Sequence, residues 1–263
     1  IYEGLGVSKD LTFCELNPDG YDHIFVGDQQ FDIPKGKEAF AARLKEHFPQ
    51  ESEGIDNYLN AISDMMEKLQ NLGTNSDTSD ANNSAESLPS VLKWAMRPAK
   101  KLIEHFISDP LLIAILSGQA GDHGMPTSQV PAFMHAGIVQ HYFRGAYYPL
   151  GGGFAIPRAF VRALKRAGGE ISLKTPVDQI LLKQGKVAGV RLASGEEISA
   201  RYVISNADPD VTFLKLVGRE NLSQKLLGKL EKTTYSTSAL SLFFAESLAT
   251  LIQYGWRNKG EKS

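Results

Sequence analysis

Three consecutive glycines, Gly151, Gly152 and Gly153, stand directly before a segment that the sequence predicts to be helical from Pro157. A backbone without Cβ atoms lets a flat ring approach closely, and the start of a helix offers partial positive charge. A tight turn before a helix explains the tripeptide without any ligand, and on the tripeptide alone we favour that interpretation. The pattern is not the G-x-G-x-x-G dinucleotide fingerprint, which follows a strand, and the sequence contains no such fingerprint.

Aromatic side chains gather just before the glycines. They are Tyr142, Phe143, Tyr147 and Tyr148. Rigid apolar rings suit a protein core or its rim, and they suit equally the wall of a cavity for an extended apolar ligand. The residues leave both interpretations open.

Asp122 and His123 lie in a predicted loop between two glycines, where they are candidates to line a pocket. Six histidines also raise the question of a metal site. His135 and His141 are six residues apart, a spacing that does not place both on one helix face, and no H-E-x-x-H pattern occurs. We therefore predict no metal site and ordinary polar roles for the histidines.

The composition of the chain limits the classes of protein to which it can belong. The chain has 263 residues, of which 42% are hydrophobic, and a formal net charge of -2. It can form a packed core, and it lacks the basic character of nucleic-acid-binding proteins. Its single cysteine, Cys14, excludes a disulfide within one chain and is predicted to be a small buried residue.

No stretch of the sequence predicts a membrane span. The longest apolar segment, Leu111 to Leu116, is much too short, and residues 1–13 lack a secretory leader pattern. Residues 94–106 mix apolar and basic side chains, which fits either an interfacial helix at a membrane surface or, preferably, a buried helix with a solvated lysine face. These patterns leave the location open between the cytoplasm and the periphery of a membrane. The first residue is Ile1, and we interpret the chain as a piece of a longer polypeptide.

The predicted elements mix helices with antiparallel hairpins, which indicates an α+β class. Predicted strands occupy parts of 11–34 and then 171–173, 178–183, 187–192, 196–199 and 202–204. Predicted helices occupy 36–48, 52–69, 91–106 with a break at Pro98, 111–116, 130–143, 157–167 and 208–217. Residues 74–87 are predicted to form a mobile surface loop, and 258–263 a disordered tail.

The order of motifs from 149 to 209 carries a family resemblance. A Pro-x-Gly-Gly segment, a helix closed by Gly-Gly, a strand with a valine, a Gly-Val-x-Leu strand and an Ala-x-x-Val-Ile-Ser-Asn-Ala-Asp-Pro string follow one another. They stand at 149–152, 157–169, Val177, 189–192 and 200–209. This succession resembles the FAD-dependent oxidoreductases of the phytoene desaturase and carotenoid isomerase family. Residues 11–53 and 116–146 are similar to the branch that contains the all-trans-retinol 13,14-saturases.

The resemblance implies part of an FAD/NAD(P)-binding α/β fold, with a helical and mixed-sheet substrate domain beside an incomplete FAD-binding domain. It implies substrate-binding residues in 1–150, an FAD-associated segment in 151–210 and a return to the substrate region in 211–263. Cofactor contacts would come from Gly151, Gly152, Val177, Ser205, Asn206 and Ala207. Substrate contacts would come from Tyr142, Tyr147, Tyr148, Asp122 and His123.

In this family, FAD would exchange a hydride or electrons with a conjugated polyene, with NAD(P) as a candidate electron partner. Saturation, desaturation and isomerisation all stay open, and the sequence assigns no catalytic side chain. Two alternatives remain: a truncated, non-catalytic protein that binds an apolar ligand or a partner chain, and a flavin amine oxidase-like enzyme.

Overall fold

The computed structural model of the chain describes residues 2–74 and 94–236, and the side chains of all but 72–74 among them. Most of the predicted loop at 74–87, residues 91–93 of a predicted helix and the predicted tail at 258–263 lie outside these ranges. Within them the fold is α+β, as the sequence predicts, with three small antiparallel sheets and a helical core.

Short strands open the chain. β1 (Phe13–Glu15) pairs with the later strand β4 (Tyr147–Pro149), while β2 (Asp22–Val26) and β3 (Gln29–Ile33) form a hairpin. Before the hairpin, Asn17 accepts hydrogen bonds from the backbone N–H groups of Asp19 and Gly20, which is the turn that the Asn-Pro-Asp-Gly sequence predicts. Cys14 lies on β1 and is exposed, so the prediction of burial is wrong. β1 is a three-residue strand in a two-stranded sheet, and all three of its residues are exposed.

Five helices enclose the main core. They are α1 (Lys37–His47), α2 (Ser52–Thr74), α3 (Ala99–Phe106), α4 (Pro110–Ser117) and α5 (Ala132–Tyr142). On the apolar face of α2 predicted from spacing, Ile55, Leu59 and Ile62 are fully buried in the core, and Met66 and Leu69 are partly buried against it. Pro98 stands immediately before α3, so it separates the helices as predicted.

Local sequence signals explain how α4 begins. The side chain of Asp109 accepts hydrogen bonds from the backbone N–H groups of Leu111 and Leu112, and Pro110 occupies the first helical position. Asp109 is therefore the N-cap of α4. Proline suits the next position because the first N–H of a helix has no partner within the helix, so its absence costs nothing. Glu51 reinforces the same junction by accepting from the backbone N–H groups of Ser108 and Asp109.

The second half of the chain is less compact. Helix α6 (Ala155–Arg166) ends at the Gly168–Gly169 pair, and β5 (Val177–Lys183), β6 (Lys186–Leu192) and β7 (Glu197–Ser199) form an antiparallel sheet. Gln184 and Gly185 both have positive φ, as a tight hairpin turn requires. A π-helix, Val211–Gly218, packs against β5, and α7 (Gln224–Leu230) follows.

Two predicted strands are not formed. Residues 171–173 and 202–204 are irregular, although their apolar side chains suit strands. A strand needs a neighbour to receive its backbone hydrogen bonds, and within the described residues neither segment has one. Leu173 is 78% exposed and Ile204 is 97% exposed as a result. The prediction of strands here was wrong for this structure.

Candidate functional site

A cavity of about 650 Å³ opens between the β1–β4 pair, the start of β2, the 3-10 segment Gly118–His123 and the end of α5. Its wall consists of Phe13, Tyr21, Asp22, Asp122, His141, Tyr142, Arg144, Gly145, Ala146 and Tyr147. Three of the predicted substrate residues, Asp122, Tyr142 and Tyr147, therefore surround one space. Its volume and aromatic lining are typical of a site for an organic ligand.

Tyr21 and Tyr142 form the half-buried centre of this wall. Their ring centroids are 6.1 Å apart, and the Tyr21 hydroxyl donates to the backbone oxygen of Tyr142. Burial, together with the nearby Asp22 carboxylate, raises the pKa of Tyr21 to about 12. Burial also raises the pKa of Tyr142, and the Asp122 carboxylate that faces its hydroxyl raises it further. Both phenols are hydrogen-bond donors at neutral pH.

Tyr147 is held at the rim of the cavity by an ionic contact. The Lys35 ammonium donates to Glu15 at 2.5 Å and to the Tyr147 hydroxyl at 3.0 Å, and it lies 5.5 Å from the centre of the Tyr147 ring. These hydrogen bonds raise the pKa of Lys35, so its side chain is protonated and positively charged at neutral pH. Through Lys35, which comes just after the β2–β3 hairpin in sequence, the contact connects that hairpin to β1 and β4.

The structure does not bring the other two predicted substrate residues to this wall. Tyr148 follows Tyr147 in β4, and successive residues of a strand point to opposite faces. His123 turns toward the buried His135, with 3.3 Å between His123 Nε2 and His135 Nδ1. His135 Nε2 donates to the carbonyl of Leu116 at 3.1 Å, and burial lowers the pKa of His135 to about 4. The pair is a neutral contact between α5 and the 3-10 segment.

The glycine segment forms an open turn directly after β4. Gly152 N–H donates to the Pro149 carbonyl at 3.0 Å, and Gly151 and Gly152 have φ values of 86° and 80°. A Cβ on either glycine would meet no atom within 4 Å, so the turn presents bare backbone to open space. Tyr148, Leu150 and Phe154 expose apolar side chains around it. The resemblance implies that the flat ring of a cofactor lies against this backbone, and that contact stays a prediction.

The remaining predicted cofactor residues all belong to the second half of the chain. Val177 begins β5, and β5 packs against the π-helix. The Ser205 hydroxyl lies 2.7 Å from the hydroxyl of Thr212 in that helix and accepts from Ala207 N–H at 3.3 Å. Asn206 lies between these two hydrogen-bonded residues. The π-helix thus contacts both the strand that begins with Val177 and the segment that contains Ser205, and both are apart from the glycine turn in sequence.

Sequence reasoning predicted three of the ten residues of the cavity wall and missed the other seven. Phe13 reaches the wall through the β1–β4 pairing. Tyr21 and Asp22 lie at the start of the β2–β3 hairpin, far in sequence from the aromatic cluster, and the Tyr21 hydroxyl contacts the backbone of Tyr142. His141 and Arg144 flank Tyr142 in sequence, so their proximity to the cluster was the available signal.

Three further features bear on the predictions from sequence: membrane spans, metal ligands and the exposed face of α3. Within residues 2–74 and 94–236, no helix combines the length and apolar character that a bilayer span needs. In the same part of the chain, no three His, Cys, Asp or Glu side chains gather as metal ligands. Helix α3 buries Leu102 and Ile103 and exposes Lys101, which pairs with Glu104, as the buried-helix interpretation expects.

Comparisons with known proteins identify the relatives of this chain. It is 28% identical over 239 residues to an all-trans-retinol 13,14-reductase of Danio rerio, covering 85% of this chain and 39% of that protein. It is 29% identical over 195 residues to a chloroplastic prolycopene isomerase 1 of an Oncidium hybrid cultivar, covering 71% of this chain and 33% of that protein. The chain thus spans less than half the length of these relatives.

A solved structure supports the fold. The PF1083 protein of Pyrococcus furiosus superposes with a TM-score of 0.59 at 18% identity, covering 89% of this chain and 48% of that one. The family model for flavin containing amine oxidoreductases matches residues 3–241. With a match of that extent, the chain belongs to the flavin containing amine oxidoreductase family.

Proposed function

We propose that this protein is an FAD-dependent oxidoreductase that acts on a conjugated, apolar polyene by saturation, desaturation or isomerisation. Family membership supports the flavin, and the names of the two relatives support a retinoid or carotenoid substrate. The observation that carries the proposal is the adjacency along β4: Tyr147 lines the cavity, and the open glycine turn begins just after the strand ends at Pro149.

Each part of this arrangement has a separate task. Bound FAD would supply the redox chemistry, since hydride transfer is beyond the side chains of the protein. The backbone at Gly151 and Gly152 would carry the flat ring, and Val177 with residues 205–207 would contact the rest of the cofactor. Tyr21, Tyr142 and Tyr147 would orient the polyene by stacking and would keep water away from it.

Bound flavin is the direct test. The purified protein should show the visible absorbance bands of flavin, and the released cofactor should have the mass of FAD. Gly152→Ala should reduce the bound flavin about tenfold, since the added Cβ occupies the face that the ring needs. Gly195→Ala is the matched control: Gly195 also has a positive φ, of 91°, and no neighbour within 4 Å, but it lies in the β6–β7 turn.

The substrate is tested by adding a ligand to the flavin-loaded protein without oxygen. A change of the flavin spectrum with all-trans-retinol or prolycopene supports the proposal, and NADPH tests the electron partner in the same way. Protein that binds polyene but no flavin would instead be a non-catalytic binder. A response to primary amines alone would replace the polyene with an amine substrate.

A further inference from the structure

The cavity wall is aromatic, yet it carries two carboxylates that form no ion pair among the described residues. Asp22 and Asp122 both line the cavity, and neither occurs in any of the ion pairs of this part of the chain. Asp22 accepts from the backbone N–H of His23 at 2.9 Å. Asp122 faces the Tyr142 hydroxyl. A carboxylate has room for about four hydrogen bonds, so both retain acceptor capacity.

This polarity discriminates between ligands of the same shape. A pure hydrocarbon that covered the carboxylates would remove their water and return no hydrogen bond, which is costly. An aldehyde or ether end likewise gives the carboxylates no hydrogen bond, because its oxygen accepts hydrogen bonds and cannot donate one. A cationic end would be repelled by the positively charged Arg144 on the same wall. A neutral hydroxyl donates to a carboxylate and avoids both penalties.

We propose that Asp122, together with Tyr142, binds the hydroxyl end of an otherwise apolar polyene and so selects alcohols over hydrocarbons and ethers. The inference rests on the proposed function and deepens it. Asp122 is exposed while Tyr142 is half-buried, so the polar end of the ligand lies at the mouth of the cavity. The chain of the ligand then extends over the rings of Tyr21 and Tyr147.

The test compares two probes that differ only in the donor. All-trans-retinol and its methyl ether share one fluorescent polyene, and the affinity of each for the purified protein is measured from the change in its fluorescence. We expect the alcohol to bind about tenfold more tightly, as is usual for one hydrogen bond to a charged group. Asp122→Asn should weaken retinol binding by about the same factor and leave the ether unchanged. Asp28→Asn, in the exposed β2–β3 turn, is the control and should alter neither.

The outcomes separate this inference from the function beneath it. Equal affinity of the two probes for the unmodified protein overturns hydroxyl selection while leaving a polyene site intact. Failure of both probes to bind overturns the polyene site itself. Tighter binding of all-trans-retinylamine than of retinol would show that the carboxylates select a cation, which also overturns the inference. The comparison of probes on unmodified protein holds even if a variant does not fold.

Discussion

The three tyrosines of the cavity wall have different surroundings. Tyr21 is anchored to the backbone of the α5 terminus, Tyr142 faces Asp122, and Tyr147 is held by Lys35. Because the pKa of Tyr21 and that of Tyr142 are raised, these two residues act as donors rather than as bases at neutral pH. Substrate orientation, rather than proton abstraction, is therefore what these side chains are suited to supply.

Glu51 shows how one buried carboxylate supports the core. A single oxygen of Glu51 accepts from the Ser108 hydroxyl at 2.6 Å, the Asp109 N–H at 2.7 Å and the Ser108 N–H at 3.0 Å. The hydroxyl of Ser108 and the two backbone donors hold the pKa of Glu51 below its usual range. We predict that Glu51→Gln lowers the free energy of unfolding by about 2 kcal/mol at pH 7, as expected for lost hydrogen bonds to a charged group.

The effect of Glu51 should depend on pH in a definite direction. A lowered pKa in the folded state stabilises the protein above the unfolded value, about 4.3 for glutamate, and this contribution disappears as the pH falls through the folded pKa. Denaturant unfolding measured from pH 7 to pH 3 should thus show the free energies of unfolding of the unmodified protein and of Glu51→Gln converging in acid. Glu53→Gln, in the exposed first turn of α2, is the control. A difference that stays constant down to pH 3 would contradict the prediction.

At the scale of elements, the crossing of α2 and α3 depends on the absence of a side chain. A Cβ at Gly54 would lie 2.2 Å from the backbone oxygen of Phe106. Alanine is the better helix former by about 1 kcal/mol, but here the clash with backbone outweighs that gain. We predict that Gly54→Ala lowers the free energy of unfolding by at least about 2 kcal/mol, measured by denaturant unfolding.

Gly228 provides the matched control within a helix. It lies in α7, and a Cβ there would meet no atom within 4 Å. Gly228→Ala should therefore raise stability by up to about 1 kcal/mol. If both alanine variants were equally stable, close contact between α2 and α3 could not be the reason for Gly54.

Elements that carry their own signals were predictable. The spacing of Ile55, Leu59 and Ile62 identifies α2, and the Asp109–Pro110 pair identifies the start of α4, because both signals act within one helix. The strands at 171–173 and 202–204 were not formed, since a strand depends on a neighbour that local sequence does not reveal. The first and fourth strands pair across more than 130 residues, which no local pattern predicts.

At the scale of the whole molecule, the candidate site was predictable only in part. Asp122, Tyr142 and Tyr147 were identified because they lie near the glycines or inside a resemblance. Tyr21 and Asp22 were missed because their approach to Tyr142 depends on long-range packing of the hairpin. Lys35 lay inside a segment of the resemblance, yet its contact with Tyr147 required the placement of β4 against β1.

The apolar surface of the second half leads to a prediction about folding. Leu173 and Ile204 bury little area in this structure, so they contribute little to its stability. The double variant Leu173→Ser, Ile204→Ser should change the free energy of unfolding by no more than about 0.5 kcal/mol, while a dye that binds exposed apolar surface should bind less. Leu192→Ser, at a buried position of β6, should instead cost about 3 kcal/mol. A loss in the double variant as large as that of Leu192→Ser would mean that both segments pack within this chain, as the strands that the sequence predicts.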